Sequence, residues 1–590
     1  MQQIVLQNIT PRDAALPCPE TLWQRGLLDA HVGWFEIKHG DPVHFDSFAT
    51  LFNFGVWTEI GDFEAVSLML KGGGTVLVDV LEQSHAKDRP QSIVTREVTL
   101  TNHGVDVPVV PSNRQSILTL RLQSLSDTAR IFQASWLGRS AVDHALKLAI
   151  IITTYAREAQ AYDAINRIAD FLMKQEGILA QAHMFIVDNG QSLTLPQHSK
   201  YTLIPSRNLG GSGGFARGLF EARRAGFSHC LFMDDDAAAP LENLTRIAAA
   251  FRLARDPKLA ISGSMIAREQ PDQIWENGAK FNRMCQAEAH GLCLTNPEDL
   301  SEFEFARMTP RITKFHYGGW WCFAFPIAAL RHDPFPFFLR GDDSAFCLSN
   351  DFTLRSLPGV FSVQDGFGAK ETPLTRYLDL RYHLSHHLMH SYLEIGAFRS
   401  ACVALRLIMH SMMRMHYHNA RAELAAWRSL FAGERSFPPA LDIAALKRDL
   451  AQNTRHEGWG FCAEKPDWPV RSKPPNRVTK LLFKLSLNGH LLPFFKPLGR
   501  RVHIPIEQRG AVWPIWGAAM ACHTRPDGQS YIVAHSKLAF FMIAVQALVL
   551  TIRWVWAYSR LKVEFRKAFC EMTTPEFWQA QFSIGALPKR

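Results

Sequence analysis

The chain has 590 residues, of which 47% are apolar and 20% are charged, and its net charge is +9. This length allows about three domains, and this composition excludes a largely disordered protein. The ten cysteines include no Cys-x-x-Cys pair. We therefore expect reduced thiols, a cytoplasmic location and no structural zinc. Residues 1–17 lack the apolar core of a secretory signal.

Residues 1–140 are predicted to form an all-β sandwich or barrel domain. Apolar residues alternate on both sides of Gly72–Gly74, and this alternation with a central glycine turn is typical of a β-hairpin. Similar short strand patterns follow at 94–100 and 118–122. Such a domain can bind sugar, pack against its neighbour or mediate assembly, and packing is the simplest of the three roles.

Residues 141–385 alternate between strand and helix patterns. The predicted strands are 146–153, 184–187, 201–204 and 230–233, and the predicted helices are 161–175 and 216–225. A glycine-rich loop, Asn208–Phe215, is predicted to open the second helix. This order, with polar residues at the end of each strand, predicts an α/β fold with a Rossmann-like nucleotide-binding half.

Three consecutive carboxylates, Asp234, Asp235 and Asp236, directly follow the buried strand 230–233. Ligands of α/β sheets gather beyond the carboxyl ends of the strands. Adjacent acids repel one another there unless a cation or several donors face them. The triplet therefore favours a divalent metal, although a solvated acidic turn is the plainer interpretation of these residues alone.

The glycine-rich segment also allows a different enzyme class. Residues 211–216 satisfy the dinucleotide fingerprint G-x-G-x-x-A and precede a predicted helix. However, the fingerprint normally follows the first strand of its unit, whereas this segment follows the third, and the next strand ends in three acids. A nicotinamide oxidoreductase is therefore an alternative, and the absence of a P-loop motif excludes P-loop chemistry.

Several motifs together resemble the family 2 glycosyltransferases of GT-A fold, and more narrowly the galactofuranosyltransferases that build cell-wall galactan. They are Thr153-Thr154-Tyr155-x-Arg157, Asp188-Asn189-Gly190, Asn208 to Phe215, Phe232 to Asp236, Gly319-Trp320-Trp321 and Leu339 to Phe346. The resemblance is specific over about 145–365. It implies a β domain before the GT-A domain and a helical domain after it.

For the donor side, the resemblance implies a UDP-sugar and a Mn²⁺ or Mg²⁺ ion held by Asp234 and Asp236. The residues that it assigns to donor binding are Thr153, Arg157, Asp188, Asn189, Asn208, Gly213 and Asp235. Oxygen ligands of this kind suit both metals. Capping and turn formation are the alternative roles for the polar residues at the ends of the first two strands.

For the acceptor side, the resemblance implies that Asp343 is the general base and that Asp342 binds sugar hydroxyls. Two adjacent carboxylates raise one another's pKa, which favours a base. The alternative is an acidic helix N-terminus, which the helix dipole stabilises. Trp320 and Trp321 are predicted to stack on the acceptor, and core packing is the competing role, at least for one of them.

One departure from the family concerns the third metal ligand, which is normally a histidine shortly after a Pro-Gly pair. Here Gln364 stands at that spacing after Pro358-Gly359, and Asp365 follows it. Asp365 is the predicted replacement ligand. A contribution from His383 or His386 is the weaker alternative.

Residues 386–590 are predicted to be a helical domain that serves docking at a membrane surface or homo-oligomerisation. The stretch from Arg471 to Arg509 is strongly basic, with Glu507 as its only acid, and is interleaved with Leu and Phe. A solvated face beside a helical core is the alternative. The apolar run Leu538–Ile552 falls short of the roughly 20 residues needed to span a bilayer, so a buried or interfacial helix is expected.

The sequence therefore predicts an inverting, metal-dependent enzyme that transfers galactofuranose from UDP-galactofuranose to a lipid-linked surface glycan. Its expected location is the cytoplasm, at the inner face of the membrane, with no nucleic-acid partner. The alternatives are another UDP or dTDP sugar such as rhamnose, a nicotinamide oxidoreductase, and a non-catalytic carbohydrate-binding or assembly protein.

Overall fold

The computed structural model describes the chain except for residues 1, 11, 14, 32, 310–313, 368–370, 439–442, 452–456, 462–467, 472–475, 526 and 585–590. It combines helices with several sheets, so the predicted α/β class is confirmed. The GT-A assignment and the domain boundaries remain predictions.

The first region consists of two antiparallel sheets. Its elements are β1 (Gln2–Asn8), β2 (Asp29–His31), β3 (Trp34–Lys38), β4 (Val43–Phe45), β5 (Phe52–Asn53), α1 (Phe54–Ile60), β6 (Ala65–Gly73), β7 (Thr75–Gln83), β8 (Gln91–Thr99), β9 (Val105–Val109), β10 (Ile117–Ser124) and β11 (Thr128–Ser140). One sheet has the order β2-β3-β11-β6-β9 with β1 beside β11, and the other has the order β4-β10-β7-β8 with β5 beside β10.

Alternating side chains join these two sheets. Phe35 and Phe45 meet with ring centroids 5.5 Å apart, and Phe52 stacks on Trp136 at 4.8 Å. Each pair has one ring from each sheet, so the apolar faces pack on one another as in a β-sandwich. The hairpin between β6 and β7 turns at Gly74, whose φ of +97° is a conformation that glycine adopts without strain.

The second region is built on a seven-stranded sheet. Its elements are β12 (Leu148–Thr154), α2 (Glu158–Met173), β13 (His183–Asp188), β14 (Tyr201–Pro205), α3 (Gly210–Arg224), β15 (His229–Asp234), α4 (Glu242–Leu253), β16 (Leu259–Ser262), β17 (Ser264–Ala267), β18 (Gln270–Glu276), β19 (Ala279–Phe281), β20 (Cys285–Ala287), α5 (Pro297–Met308), β21 (His316–Tyr317), β22 (Phe323–Pro326), α6 (Asp342–Ser349), β23 (Thr353–Arg355), β24 (Phe361–Gln364) and α7 (Pro373–Met389).

The order of the large sheet is β14-β13-β12-β15-β22-β16-β23. The first four strands are parallel, and β22 runs antiparallel to both neighbours. The strand β12 is buried along its whole length, as expected for the centre of a sheet covered on both faces. Two three-stranded sheets, β18-β17-β24 and β20-β19-β21, lie beside it.

A buried charge network joins the first two regions. Arg246 on α4 is 2% exposed and donates to the carbonyl oxygens of Ala49, at 2.7 Å, and Pro358, at 2.6 Å. Glu242, one turn earlier, accepts from the backbone N–H of Asn8 at 2.6 Å. Buried charges are tolerated only when they are paired in this way, so the β region is fixed on the second region.

The third region is not purely helical, so the expectation of a helical domain was wrong in this respect. Its elements are α8 (Gly396–Met413), α9 (Tyr417–Ser429), α10 (Ile443–Ala451), β25 (Gly460–Phe461), α11 (Arg477–Leu485), α12 (Phe495–Leu498), β26 (Arg500–Pro505), β27 (Ala518–Thr524), β28 (Gln529–Ala534), α13 (Lys537–Met572) and α14 (Pro575–Ser583). The four strands form one sheet of order β25-β28-β27-β26.

The expected helix at Leu538–Ile552 is much longer in the structure, because α13 spans 36 residues. By length and composition alone it is long and apolar enough to cross a membrane. The helix α7 crosses the predicted boundary at residue 385 and contacts α8, α9 and α13. The second and third regions therefore share one core.

Candidate active site

The polar strand ends lie side by side at one edge of the large sheet. In the parallel register, Thr153 at the end of β12 stands beside Asp234 at the end of β15, and Thr154 stands beside Asp188 at the end of β13. Because parallel strands present their carboxyl ends on the same edge, these residues lie at the edge where sheets of this kind bind ligands, which we call the candidate cleft. The structure thus brings Thr153 and Asp188, predicted for donor binding, close to Asp234, predicted as a metal ligand.

Asp188 organises the turn that follows β13. It is 1% exposed, and its carboxylate accepts from the backbone N–H groups of Gly190, Ser192 and Leu193 at 2.7–2.9 Å. These bonds satisfy the carboxylate within the turn. The structure therefore supports the turn-forming alternative for Asp188, and its contact with a donor remains a prediction.

Asn189 connects this turn to its neighbours. Its Nδ2 donates to Thr153 Oγ1 and to the carbonyl oxygen of Gly210, both at 3.1 Å. Among the described residues, its buried Oδ1 has no hydrogen-bond partner. A buried acceptor without a partner is unusual, so Asn189 Oδ1 is a candidate contact for a ligand N–H group.

The glycine-rich segment is the start of a helix, which corrects the predicted loop. The helix α3 begins at Gly210, where Asn208 Oδ1 accepts from the backbone N–H at 3.0 Å. A Cβ atom on Gly214 would lie 1.9 Å from Thr153 Oγ1, and one on Gly213 would lie 2.1 Å from Leu209 Cβ. Gly214 therefore lets the helix start approach β12 closely, which brings the first turn of α3 to the ends of the strands.

The aspartate triplet is paired with Arg157 in this structure. Arg157 Nη1 lies 3.0 Å from Asp235 Oδ1 and 2.7 Å from Asp236 Oδ2. Burial raises the pKa of Asp235, and the guanidinium opposes this shift. Arg157, three residues after the end of β12, thus offsets part of the charge of the triplet, for which the sequence had predicted a divalent metal.

Two carboxylates begin α6 on the other side of the α3 start. Asp342 is buried, and its Oδ2 accepts from Ser212 Oγ at 3.4 Å, while Asp343 is half-buried and accepts from the backbone N–H of Ser344 at 2.7 Å. Burial raises the pKa of both groups, and the charge of Asp343 raises the pKa of Asp342 further. The acids therefore titrate as a pair above the range of an exposed aspartate.

The backbone before this pair is strained. Phe338, Arg340 and Gly341 all have positive φ, at +73°, +61° and +89°. The carbonyl oxygen of Phe338 would lie 2.1 Å from a Cβ atom on Gly210. Strained residues persist where the surroundings fix them, and here the start of α3 and the loop before α6 hold one another in place.

Glu276, at the end of β18, is a site residue to which sequence reasoning gave no role. It is 6% exposed, and its Oε1 has no hydrogen-bond partner among the described residues. Burial, followed by the charges of Asp343 and Glu288, raises its pKa to about 8. The sequence signal that could have identified Glu276 is an acid at the end of a strand. This signal was weak because β18 belongs to a small sheet, separate from the large one.

Both tryptophans of the predicted acceptor site are buried, at 4% exposure each. Trp320 packs edge-on against Phe215, Phe232 and Phe346, with centroids 4.9–5.7 Å away. Trp321 donates from Nε1 to the carbonyl oxygen of Gly263 at 3.1 Å. The structure supports core packing for Trp320, and acceptor stacking by either ring remains a prediction.

The residues that could replace the family histidine all have protein partners in the structure, and the metal-ligand role of Asp365 remains a prediction. Asp365 is paired with Arg268 at 3.2 Å, and Gln364 Nε2 contacts Met265 Sδ at 3.3 Å. His383 and His386 use both ring nitrogens in hydrogen bonds within the protein. In the part of the chain that the structure describes, no group of three or more His, Cys, Asp or Glu side chains is arranged around a common metal position.

No protein-family profile matches the chain. The chain is 25% identical over 295 residues to the galactofuranosyltransferase GlfT2 of Mycobacterium tuberculosis, an alignment that covers 45% of each protein. It is 23% identical over 437 residues to GlfT2 of Mycolicibacterium smegmatis, covering 68% of this chain and 66% of that protein. The chain is thus related in sequence to galactofuranosyltransferases. The alignments span about half and about two thirds of these relatives.

Among solved structures, the mannosyltransferase PcManGT from Pyrobaculum calidifontis, in complex with GDP-Man and Mn²⁺, aligns with 53% of this chain and 83% of its own length. The identity is 14% and the TM-score 0.29. The carbohydrate-binding module CBM29-2 aligns with 24% of this chain and 92% of its own, at 14% identity and a TM-score of 0.15. Neither score is high enough to assign a fold.

Proposed function

We propose that the chain is an inverting glycosyltransferase that moves galactofuranose from UDP-galactofuranose to a lipid-linked glycan at the inner face of the membrane. The observation that carries this proposal is the position of the α3 start. Gly214 lies against Thr153 at the aspartate-rich strand ends, and Ser212 lies against Asp342 of the acid pair. These two contacts support the proposal because they bring the strand ends proposed for donor binding and the acid pair that contains the proposed base to the same helix start.

On the donor side, Arg157 and the N–H groups at the start of α3 are placed to bind a diphosphate. A diphosphate that accepts these hydrogen bonds relieves Arg157 of its ion pairs with Asp235 and Asp236. Asp234 and Asp236 would then hold Mn²⁺ or Mg²⁺, with oxygen ligands that suit both ions. The metal would neutralise the charge that develops on the leaving UDP.

On the acceptor side, Asp343 is the proposed general base. Its carboxylate takes the proton of the acceptor hydroxyl while that oxygen attacks C1 of the sugar, and the bond between C1 and the diphosphate breaks to release UDP. A raised pKa makes the carboxylate a better proton acceptor near neutral pH. Asp342 and Glu276 are proposed to bind acceptor hydroxyls from either side of it.

The test compares UDP release from UDP-galactofuranose, UDP-galactopyranose and dTDP-rhamnose, with a short galactofuranoside acceptor and with or without Mn²⁺. We expect turnover of UDP-galactofuranose only, and a 10²–10⁴-fold lower rate in Asp343→Asn, the range that general-base catalysis supplies. Asp351→Asn is the matched control, because that carboxylate is exposed and pairs with Lys258.

The outcomes separate the alternatives. If the protein binds UDP but does not turn over UDP-galactofuranose, its donor carries a different sugar. Turnover of dTDP-rhamnose would identify that sugar as rhamnose. If the protein binds NADH but not UDP, it is the nicotinamide oxidoreductase of the alternative hypothesis. Binding of glycan alone assigns a carbohydrate-binding protein. Full activity of Asp343→Asn removes that residue as the base while leaving the donor assignment intact.

A further inference from the structure

The sheet β2-β3-β11-β6-β9 of the first region is covered over only part of its outer face. Ser135 on β11 is buried, and its hydroxyl donates to Asn8 Oδ1 at 2.6 Å. Asn8 in turn donates to the carboxylate of Glu242 on α4, so this part of the sheet packs on the second region. Phe132 lies three residues before Ser135 on the same strand, about 10 Å away, and is 47% exposed. The outer face is therefore open beside its junction with the second region.

Phe132 occupies a β-bulge on this open face. The pairing of β11 with β6 shifts register between Ile131 and Gln133, so Phe132 is the extra residue of the bulged strand. Bulges re-aim side chains, and here the Phe132 ring meets Trp34 of β3, with centroids 6.1 Å apart and an angle of 69° between the rings. His31 of β2 stacks on Trp34 at 3.9 Å and holds the indole in place. We call Phe132, Trp34 and His31 the aromatic patch.

Charged side chains frame the aromatic patch in pairs of opposite sign. Arg130 stands directly across from Glu36 on the neighbouring strand, and its Nε donates to the Glu36 carboxylate at 2.8 Å. Lys38 Nζ lies 2.7 Å from Asp29 Oδ2. The guanidinium carbon of Arg130 also lies 6.0 Å from the centroid of the Trp34 ring. These two cations and two anions give the patch hydrogen-bond donors and acceptors without a net charge.

This combination of side chains fits a neutral glycan. Aromatic rings offer flat apolar surfaces to the C–H faces of sugars, and sugar hydroxyls can accept from arginine and donate to carboxylate. A polyanion such as a nucleic acid requires a net positive surface, which the paired charges do not provide. A second copy of the chain is also disfavoured. Two aromatic side chains bury at most about 500 Å², whereas a stable interface buries about 800 Å² on each partner.

We propose that the aromatic patch binds a neutral glycan chain, by stacking on Phe132 and Trp34 and by hydrogen bonds to Arg130 and Glu36. The patch belongs to the β region, whereas the strand ends and the acid pair of the candidate active site belong to the second region, so the two are separate sites. The identity of the glycan rests on the proposed function, because the chain that the second region would extend is the glycan at hand. Binding itself requires neither donor nor transfer.

The test is calorimetric titration of the full-length protein, without donor, with linear neutral oligosaccharides of galactofuranose, galactopyranose or rhamnose. We expect at least one of these probes to bind, and binding at one site to weaken about tenfold in Phe132→Ser, because a stacked ring is lost. A further site that Phe132→Ser leaves unchanged belongs to the candidate active site. Phe398→Ser is the matched control, since that phenylalanine is 72% exposed on α8, outside the β region.

The stacking and polar contributions are tested separately. Trp34→Phe should keep most of the affinity, because a ring remains, whereas Trp34→Ala should bind about tenfold more weakly. Arg130→Met should also weaken binding without changing Tm, since the Arg130 side chain is 62% exposed. Binding of a neutral ligand should be equal at low and high salt. The proposal is overturned if Phe132→Ser binds every probe as the wild type does, or if high salt abolishes the binding.

Failure of this inference can be distinguished from failure of the proposed function. If the wild type transfers no galactofuranose but binding of a probe still depends on Phe132, the proposed function fails and the glycan site stands. If the wild type transfers galactofuranose but no probe binds in a manner that depends on Phe132, the glycan site fails and the proposed function stands. Sedimentation velocity tests the remaining occupant. An oligomer that dissociates in Phe132→Ser, with unchanged glycan binding, assigns the patch to a second copy and refutes the proposal.

Discussion

Replacement of Glu276 by glutamine should stabilise the protein more and more as the pH rises. The pKa of Glu276 is raised from 4.5 to about 8, first by burial and then by the charges of Asp343 and Glu288. A carboxyl group with a raised pKa in the folded state contributes its full stability below about pH 4.5. That contribution is lost as the pH rises to about 8. Glutamine has nearly the same shape and does not ionise, so the variant avoids this loss.

The size of the effect follows from the shift. A rise from 4.5 to about 8 corresponds to about 5 kcal/mol of unfolding free energy, at about 1.4 kcal/mol for each pKa unit. Solvent that reaches the ionised carboxylate reduces this value, so about 5 kcal/mol is its upper bound. The wild type and Glu276→Gln should therefore be about equally stable at acidic pH, and the variant should be the more stable protein at alkaline pH.

The assay is thermal unfolding followed by circular dichroism at about pH 5 and about pH 9, with a chelator present so that bound metal does not contribute. The control is Glu302→Gln, at an exposed glutamate on α5, which should give the same small difference at both pH values. The reasoning is refuted if the difference in Tm between Glu276→Gln and the wild type does not grow with pH.

Three further changes test the packing around the site. Gly214→Ala should lower UDP affinity at least tenfold by calorimetry, because the new Cβ atom would meet Thr153 Oγ1 at 1.9 Å and push α3 from the cleft. Trp578→Ala should lower UDP affinity and Tm together, since this buried ring packs on the start of α3, and Trp→Ala typically costs about 3–5 kcal/mol. Arg246→Met should cost about 3–5 kcal/mol in denaturant unfolding by leaving Glu242 unpaired, and Glu242→Gln in the same chain should recover part of it.

The polar edge of the large sheet could be predicted because its signals are local. Buried runs of strand length ended in polar residues, and parallel pairing then placed Thr153, Asp188 and Asp234 in one row. The start of α3 was missed because glycine disfavours helix, and only its fit against β12 overrides that preference. Glu276 had no predicted role, since its raised pKa arises first from burial and then from the charges of Asp343 and Glu288, and the tertiary fold sets all three causes.

The C-terminal sheet and the length of α13 were missed for related reasons. Arg500–Pro505 is a strand that begins with two exposed arginines, so its pattern resembled a continuing basic run. Arg553 directly follows the apolar run Leu538–Ile552, but its guanidinium carbon lies 4.9 Å from the centroid of the Phe431 ring, and the helix continues to Met572. Charged residues with long apolar stems do not end a helix that packs on the protein.

The helix α13 connects the candidate active site to an outer stripe of exposed apolar side chains, which runs from Leu538 to Trp556. The outer stripe occupies the first half of α13, and the helix then leads directly into α14, where Trp578 packs on Leu209 and Ala216 around the start of α3. Trp578 Nε1 also donates to the carbonyl oxygen of Pro334 at 2.8 Å, in the segment that leads to the acid pair. Because one face of α13 is packed along its length, the helix acts as a rigid spacer. It therefore holds the outer stripe at a fixed distance from the start of α3 and the acid pair.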